Sequence, residues 1–232
     1  MDGVRRLLLD EPENRNALSL TLIASLREGL AAAIADEAVR VVVIDHEGAV
    51  FCAGADLRSA GSHADAQPYI DLLRELWWCP KPVVCVVRGA VRGGGMGLVA
   101  ASDILVAGEQ ATFGFPEVRV GAAPAMVAAV VLQRIGRGAA LELFLTGEPI
   151  GPHRARELGL VTAVGDDPAP YLEALRRGGP EALAAVKRIV NERPGLEDLE
   201  RLGAVTTAML AGEEVREGIA AFFEKRPPSW SA

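Results

Sequence analysis

Two glycine-bearing turns and one carboxylate are the parts of this sequence best suited to chemistry. Three consecutive glycines, residues 93–95, precede residues 96–101, which have the small, apolar composition of a buried helix start. Such a turn presents free backbone N–H groups at the positive end of a helix and so stabilises negative charge. Glu117 follows residues 113–116, an apolar loop that would desolvate its carboxyl group and raise its pKa. Together these features would suit proton transfer beside an anion-stabilising site, whereas each one alone is more often an ordinary tight turn or a surface glutamate.

The elements around these turns predict an α/β fold. Val83–Val87 is an apolar, β-branched run typical of a buried strand. Ahead of it, strand Val4–Leu9, a helix capped by Ser19 and strand 39–44 give the order strand, helix, strand. The second small-residue turn, residues 51–57, comes after the last of these strands. Both turns therefore follow predicted strands.

The end of the chain is predicted to be helical. We expect helices over residues 171–177, 181–191 and, as one long segment, 196 to about 225. We therefore divide the chain into an α/β core, residues 1–165, and a helical C-terminal region, residues 166–232. The last helix is rich in apolar residues, so we expect it to pack on the core or on a neighbouring subunit.

The composition is that of a folded, acidic protein. Half of the 232 residues are hydrophobic and 24% are charged, which excludes disorder. The net charge of −7 argues against general binding to nucleic acids or anionic membranes. The longest apolar run, residues 122–132, is shorter than the ~20 residues that span a bilayer. We expect a cytoplasmic protein in which Cys52, Cys79 and Cys85 are reduced thiols and not metal ligands.

Five sequence segments, taken in order, carry a family resemblance. They are FCAGADL at 51–57, RGGGMGLVAASDI at 92–104, FGFPEVRVG at 113–121, TGEPIGPHRARELGLV at 146–161 and EGIAAFFEKRPPSW at 217–230. Together they resemble the enoyl-CoA hydratase/isomerase family, the crotonase superfamily, over nearly the whole chain. The resemblance implies an α/β crotonase-like fold of stacked ββα units with a helical C-terminal region. It also implies an acyl-CoA thioester substrate and a homotrimer or dimer of trimers.

The resemblance also implies a role for each motif. A thioester that loses an α-proton becomes an enolate, whose oxygen two backbone N–H groups can stabilise. The family places these donors at the positions of Ala55 and Gly94, and uses the glutamate at the position of Glu117 as its acid and base. No metal or redox cofactor is expected. The positions expected to contact the substrate and its CoA group are Arg15, Ala17, Ala53, Gly54, Asp56, Leu57, Arg58 and Lys225.

Gly97 departs from the family pattern, because the family's hydratases carry a second glutamate at this position. Two carboxylates can hold and activate a water together, whereas a single base fits a 1,3-shift of a double bond. Gly97 therefore favours an enoyl-CoA isomerase. A specialised or slow hydratase is an alternative, as is an acyl-CoA-binding protein without activity.

The glycines also allow a different interpretation, a dinucleotide-binding site. Residues 95–100 satisfy G-x-G-x-x-A after a strand, and Glu117 follows about twenty residues later. The motif lies in mid-chain with no βα repeat after it. It also leaves residues 51–57 and the helical end of the chain unexplained.

Overall fold

The fold was analysed in a computed structural model, which describes residues 3–55 and 66–231. The strands are β1 Val4–Leu9, β2 Val41–His46, β3 Val50–Cys52, β4 Val83–Val87, β5 Ala90–Arg92, β6 Ile104–Ala107, β7 Thr112–Gly114 and β8 Ala163–Val164. The helices are α1 Leu20–Ala35, α2 Gln67–Trp77, α3 Gly95–Ala101, α4 Ala125–Val131, α5 Arg137–Thr146, α6 Pro152–Glu157, α7 Ala169–Arg177, α8 Pro180–Glu192, α9 Leu199–Leu210 and α10 Glu213–Glu224. Short 3₁₀ turns lie at Pro12–Asn14, Pro116–Val120, Leu196–Asp198 and Ser229–Ser231.

The larger of two parallel sheets has the strand order β1-β2-β4-β6-β8. Val4 pairs with Val41 and Ile44 pairs with Cys85 in its register. Every residue of β2 and β4 is buried. Near-continuous burial is typical of a parallel strand covered on both faces, and it explains the run of valines in β4.

The smaller sheet has the order β3-β5-β7, and each of its strands closely follows a strand of the larger sheet. β5 lies in the middle, with Ala90 paired to Val50 on one side and to Thr112 on the other. Successive pairs of strands, with α3 after β5, build the ββα units. The predicted α/β fold with a helical C-terminal region is therefore confirmed.

Helices α1, α2 and α3 cover the sheets and close the core around the glycine turns. Ser19 caps α1, since its Oγ accepts a hydrogen bond from the Leu22 N–H at 3.0 Å. All seven residues of α3 are buried, and the helix contacts α2 and α4. Its glycines and alanines allow this close packing on all sides.

Strand β2 runs further than the sequence predicted. It covers Val41–His46, whereas the prediction ended at residue 44, because Asp45 and His46 have polar partners that permit their burial. Arg6 Nη1 donates to Asp45 Oδ2 at 3.2 Å, and the Arg88 N–H donates to His46 Nε2 at 3.0 Å. Buried polar groups that are satisfied in this way do not end a strand.

The last predicted helix is wrong as a single segment, because it breaks into α9 and α10. Gly212 separates them with an extended backbone, φ −75° and ψ 163°. Glycine has the conformational freedom to leave the helix at this point and the lowest helix propensity apart from proline. Both helices leave large apolar side chains exposed, including Phe222 at 78% and Phe223 at 77%.

Helix α8 is held against the core by polar contacts. Lys187 Nζ lies 2.8 Å from Asp103 Oδ2, and the same carboxylate oxygen accepts a hydrogen bond from the Val83 N–H at 2.7 Å. Asn191 Nδ2 donates to the Trp77 carbonyl oxygen at 2.7 Å. These bonds connect the C-terminal region to β4 and to the end of α2.

Candidate active site

Three turns meet at one edge of the smaller sheet. β3 leads into Ala55, β5 leads into Gly94, and β7 leads into the 3₁₀ turn that carries Glu117. The three strands are parallel neighbours, so their carboxyl ends share an edge, which is where ligands bind in parallel α/β sheets. The sequence motifs that suggested chemistry are thus brought together by the strand order.

The first two turns pack backbone against backbone. A Cβ placed on Gly54 would lie 3.4 Å from the Gly94 nitrogen and 3.0 Å from the Arg92 carbonyl oxygen. A Cβ placed on Gly94 would lie 3.7 Å from the Ala55 nitrogen. Gly54 has φ +94°, a conformation that residues with a Cβ rarely adopt. Glycine is therefore required at position 54 both for its conformation and for the close approach.

The Ala55 and Gly94 N–H groups have no hydrogen-bond acceptor among the residues that the structure describes. Two free backbone donors on adjoining turns can stabilise a developing negative charge between them, as in an oxyanion hole.

An N-terminal turn supports the Ala55 side of the site. The Leu18 N–H donates to the Gly54 carbonyl oxygen at 2.8 Å, and the Ala53 N–H donates to the Arg15 carbonyl oxygen at 3.0 Å. The fully buried Asn16 holds this turn in place, because its Nδ2 donates to the Val50 carbonyl oxygen at 2.9 Å. Sequence reasoning missed Asn16, whose left-handed backbone, φ +50°, is a conformation in which asparagine is enriched.

Glu117 is half-buried beside the second turn. Its Oε2 is buried and has no hydrogen-bond partner among the described residues. A Cβ placed on Gly93 would lie 3.3 Å from Glu117 Oε1, so the carboxyl group lies against the glycines. Burial raises the pKa of Glu117, and its own backbone N–H opposes this shift. Such a carboxyl group exchanges protons closer to neutral pH than an ordinary glutamate does.

The space beside Gly97, where a second acid would stand, is occupied. A Cβ placed on Gly97 would collide with the hydroxyl group of Tyr69, and would lie 3.0 Å from Val127 Cγ1 and 3.1 Å from Leu73 Cδ2. No local sequence pattern pointed to Tyr69, which reaches the site from α2.

The residues expected to contact CoA are only partly brought together. Arg15 is exposed on the N-terminal turn that supports Ala53 and Gly54, and Ala17 is buried in that turn. Lys225 is exposed at the end of α10, where its N–H donates to the Phe222 carbonyl oxygen at 3.3 Å. The remaining three expected residues lie outside the described residues: Asp56, Leu57 and Arg58.

The part of the chain that the structure describes contains neither a metal-ligand cluster nor a membrane-spanning helix. Among residues 3–55 and 66–231, no three His, Cys, Asp or Glu side chains are grouped so that they could hold a metal ion. In the same part of the chain, the helices are all too short or too polar to cross a bilayer.

The fold and these paired glycine turns define a crotonase-type α/β protein. The sequence model of the enoyl-CoA hydratase/isomerase family matches residues 1–232. The chain belongs to this family of enzymes.

Individual relatives agree with this assignment. The 2,3-dehydroadipyl-CoA hydratase of Escherichia coli strain K12 is 33% identical over 97% of this chain and 93% of its own length. The solved structure of Pseudomonas aeruginosa AtuE has a TM-score of 0.92 and 36% identity, covering 100% of this chain and 97% of the other. An enoyl-CoA hydratase from Mycobacterium avium has a TM-score of 0.75 and 41% identity, covering 98% of this chain and 94% of the other.

Proposed function

We propose that this protein binds an acyl-CoA thioester, stabilises its enolate between the Ala55 and Gly94 N–H groups, and moves a proton with Glu117. The observation that carries the proposal is the buried Oε2 of Glu117 beside the glycine turn, which has no hydrogen-bond partner within residues 3–55 and 66–231. A carboxylate oxygen without a hydrogen-bond donor is free to accept a proton from a bound substrate. The same burial that raises its pKa favours return of that proton.

The reaction we favour is a shift of the double bond from a 3-enoyl to a 2-enoyl ester. Glu117 removes a proton from the carbon next to the thioester carbonyl, and the electron pair moves onto the carbonyl oxygen. The two N–H groups stabilise this oxyanion; each such donor typically lowers the barrier by ~2.7–4 kcal/mol. Glu117 then returns the proton to the far end of the dienolate, so no proton is gained or lost. The closed space at Gly97 supports a single acid and base.

Hydration of a 2-enoyl-CoA is the second candidate. It is favoured by the names of relatives, since the proteins from E. coli and M. avium are both called hydratases. In this case Glu117 would activate a water without a second glutamate. The third candidate, binding of acyl-CoA without turnover, would leave the α-protons of the ester unexchanged.

The CoA group and the assembly are also proposals. Arg15 would contact the CoA group, and Arg58 and Lys225 would contact its phosphates. The further residues proposed to contact the substrate or CoA are Ala17, Ala53, Gly54, Asp56 and Leu57. The exposed apolar faces of α9 and α10 support a homotrimer or dimer of trimers, which sedimentation velocity would test. The boundary at residue 165, between the α/β core and the helical C-terminal region, is also part of this proposal. So is a cytoplasmic location.

The experiment is proton NMR in D₂O with a 3-enoyl-CoA and a 2-enoyl-CoA. We expect the wild-type protein to convert the first into the second, Glu117→Gln to lose turnover, and the control Glu173→Gln, at an exposed position on α7, to retain it. A 3-hydroxyacyl-CoA product would show that the reaction is hydration and not isomerisation. Unchanged turnover in Glu117→Gln would remove Glu117 from the chemistry, and the absence of deuterium exchange in the wild-type protein would favour binding alone.

A further inference from the structure

Tyr69 brings a hydroxyl group to the glycine turn from a different part of the chain. It lies on α2 and is only 5% exposed. Its O–H donates to the Gly94 carbonyl oxygen, which also accepts a hydrogen bond from the Gly97 N–H at 2.8 Å. Tyr69 therefore holds Gly94 through the Gly94 carbonyl oxygen. The N–H group of this same glycine is one of the two proposed oxyanion donors.

The apolar face of α2 determines where this hydroxyl group lies. Leu72, Leu73 and Leu76 are buried on the same face as Tyr69, at the spacing of one side of a helix. Leu73 also contacts the space beside Gly97. The packing of α2 against α3, and not a local loop, therefore places Tyr69 at the turn.

Tyr69 and a side chain at position 97 exclude each other. A Cβ on Gly97 would collide with the Tyr69 hydroxyl oxygen, which is the terminal atom of a ring buried in the core. Val127 and Leu73 close the space further at 3.0 Å and 3.1 Å. A glutamate at position 97 would have to displace Tyr69, so the glycine and the tyrosine form a matched pair.

We infer that Tyr69 takes the place of the second carboxyl group in this site: its hydroxyl group fills the space beside Gly97 and holds the turn that presents the Gly94 N–H. This inference rests on the proposed function. Tyr69 is a positioning residue, because it acts through the Gly94 carbonyl oxygen and not on the substrate. An uncharged hydroxyl group also avoids the repulsion that a second carboxylate would exert on ionised Glu117.

The charge state of Tyr69 suits this role. Burial raises the pKa of Tyr69 well above its usual value, with smaller contributions from Cys52 and Glu117. The phenol therefore stays protonated at any pH at which the protein would work, and its O–H remains a donor. A carboxyl group in the same place would change its donor capacity with pH.

The kinetic test compares Tyr69→Phe with Tyr171→Phe. The chain has two tyrosines, and Tyr171 packs on the larger sheet, so its substitution is the matched control. With a 3-enoyl-CoA, we expect Tyr69→Phe to lower kcat about three- to tenfold, the effect of one hydrogen bond, with KM within twofold. Tyr171→Phe should leave both constants unchanged. Wild-type kcat in Tyr69→Phe would overturn the inference.

A second test needs no turnover. Gly97→Ala is made in the wild-type background and in the Tyr69→Phe background, and the melting temperatures of the four proteins are compared. Overpacking should lower the melting temperature by about 2–12 °C in the first background. At least half of this loss should disappear in the second, because the colliding oxygen is gone.

An equal loss of melting temperature in both backgrounds would overturn the pairing of Tyr69 with Gly97. The two proposals fail in different ways. A wild-type protein that neither exchanges α-protons nor shifts the double bond would refute the proposed function, whereas the melting temperatures would still decide whether Tyr69 excludes a side chain at position 97.

Discussion

Gly54→Ala is the sharpest perturbation that the site offers, because it adds one methyl group between the two proposed oxyanion donors. The new Cβ would lie 3.0 Å from the Arg92 carbonyl oxygen and 3.4 Å from the Gly94 nitrogen. An alanine at φ +94° is also strained by about 1–3 kcal/mol. Both costs fall if the peptide between Gly54 and Ala55 moves away from Gly94, which would displace the Ala55 N–H. Loss of one oxyanion donor costs ~2.7–4 kcal/mol, or about 10²–10³ in kcat.

The assay measures kcat for the double-bond shift together with the melting temperature. Gly165→Ala is the matched control: Gly165 has φ +145°, follows β8, and an added Cβ would meet no atom within 4 Å. Strain of 1–3 kcal/mol in either variant lowers the melting temperature by roughly 2–4 °C per kcal/mol. We expect both proteins to be strained but only Gly54→Ala to lose kcat.

The reasoning is refuted if folded Gly54→Ala retains more than a tenth of the wild-type kcat. In that event the Ala55 N–H would not be a donor to the oxyanion. A comparable loss of kcat in Gly165→Ala would assign the effect to backbone strain in general.

Further predictions concern Glu117 and the ion pair between Asp103 and Lys187, which joins α8 to the core. A general base must be ionised, and burial raises the pKa of Glu117. On acidification, kcat/KM should therefore fall at a pH above the usual pKa of glutamate. The prediction is contradicted if the acid limb of the pH profile lies at the pKa of an ordinary carboxyl group and is still present in a weakly active Glu117→Asp variant. The pKa of Glu117 is higher in the folded state than in the unfolded state, so ionisation of Glu117 destabilises the fold as the pH rises through the folded-state pKa. At neutral pH, Glu117→Gln should therefore be at least as stable as the wild-type protein in urea unfolding. A lower stability of this variant would contradict the buried position of the carboxyl group. Asp103→Ala leaves Lys187, whose side chain is 8% exposed, without its anionic partner and with only the Leu76 and Lys81 carbonyl oxygens as acceptors. This change should lower the free energy of unfolding by about 3 kcal/mol, whereas loss of the exposed Glu142 partner of Arg154 should cost less than about 1 kcal/mol. Equal losses would contradict the structure.

Local sequence patterns predicted much of this fold, most clearly β2 and β4, which are fully buried and rich in β-branched residues. Strand Val4–Leu9 and strand Val83–Val87 were predicted with the bounds that the structure shows. The family resemblance implied that the glycine turns and Glu117 form one site, whereas β3, β5 and β7, the short strands that lead into them, were not predicted. Their catalytic roles stay predictions.

Other features depend on contacts between distant segments and had no local signal. Asp45 and His46 continue β2 only because Arg6 and Arg88 supply partners from other strands and turns. Tyr69 meets the glycine turn only through the packing of α2. In contrast, the break between α9 and α10 did have a signal, Gly212, which the apolar pattern on either side outweighed.

The smaller sheet has a consequence for how enzymes with this architecture can change. Each of its three strands ends in one turn, and the proposed function gives each turn one role: a first donor, a second donor, or the base. A substitution in one turn leaves the register of the other two intact, because the strand pairing lies upstream of all three. The helices that cover the turns can therefore exchange one accessory group for another while the enolate-forming part is inherited unchanged. New reactions in such a lineage would arise at the helix-turn contacts and not in the sheet.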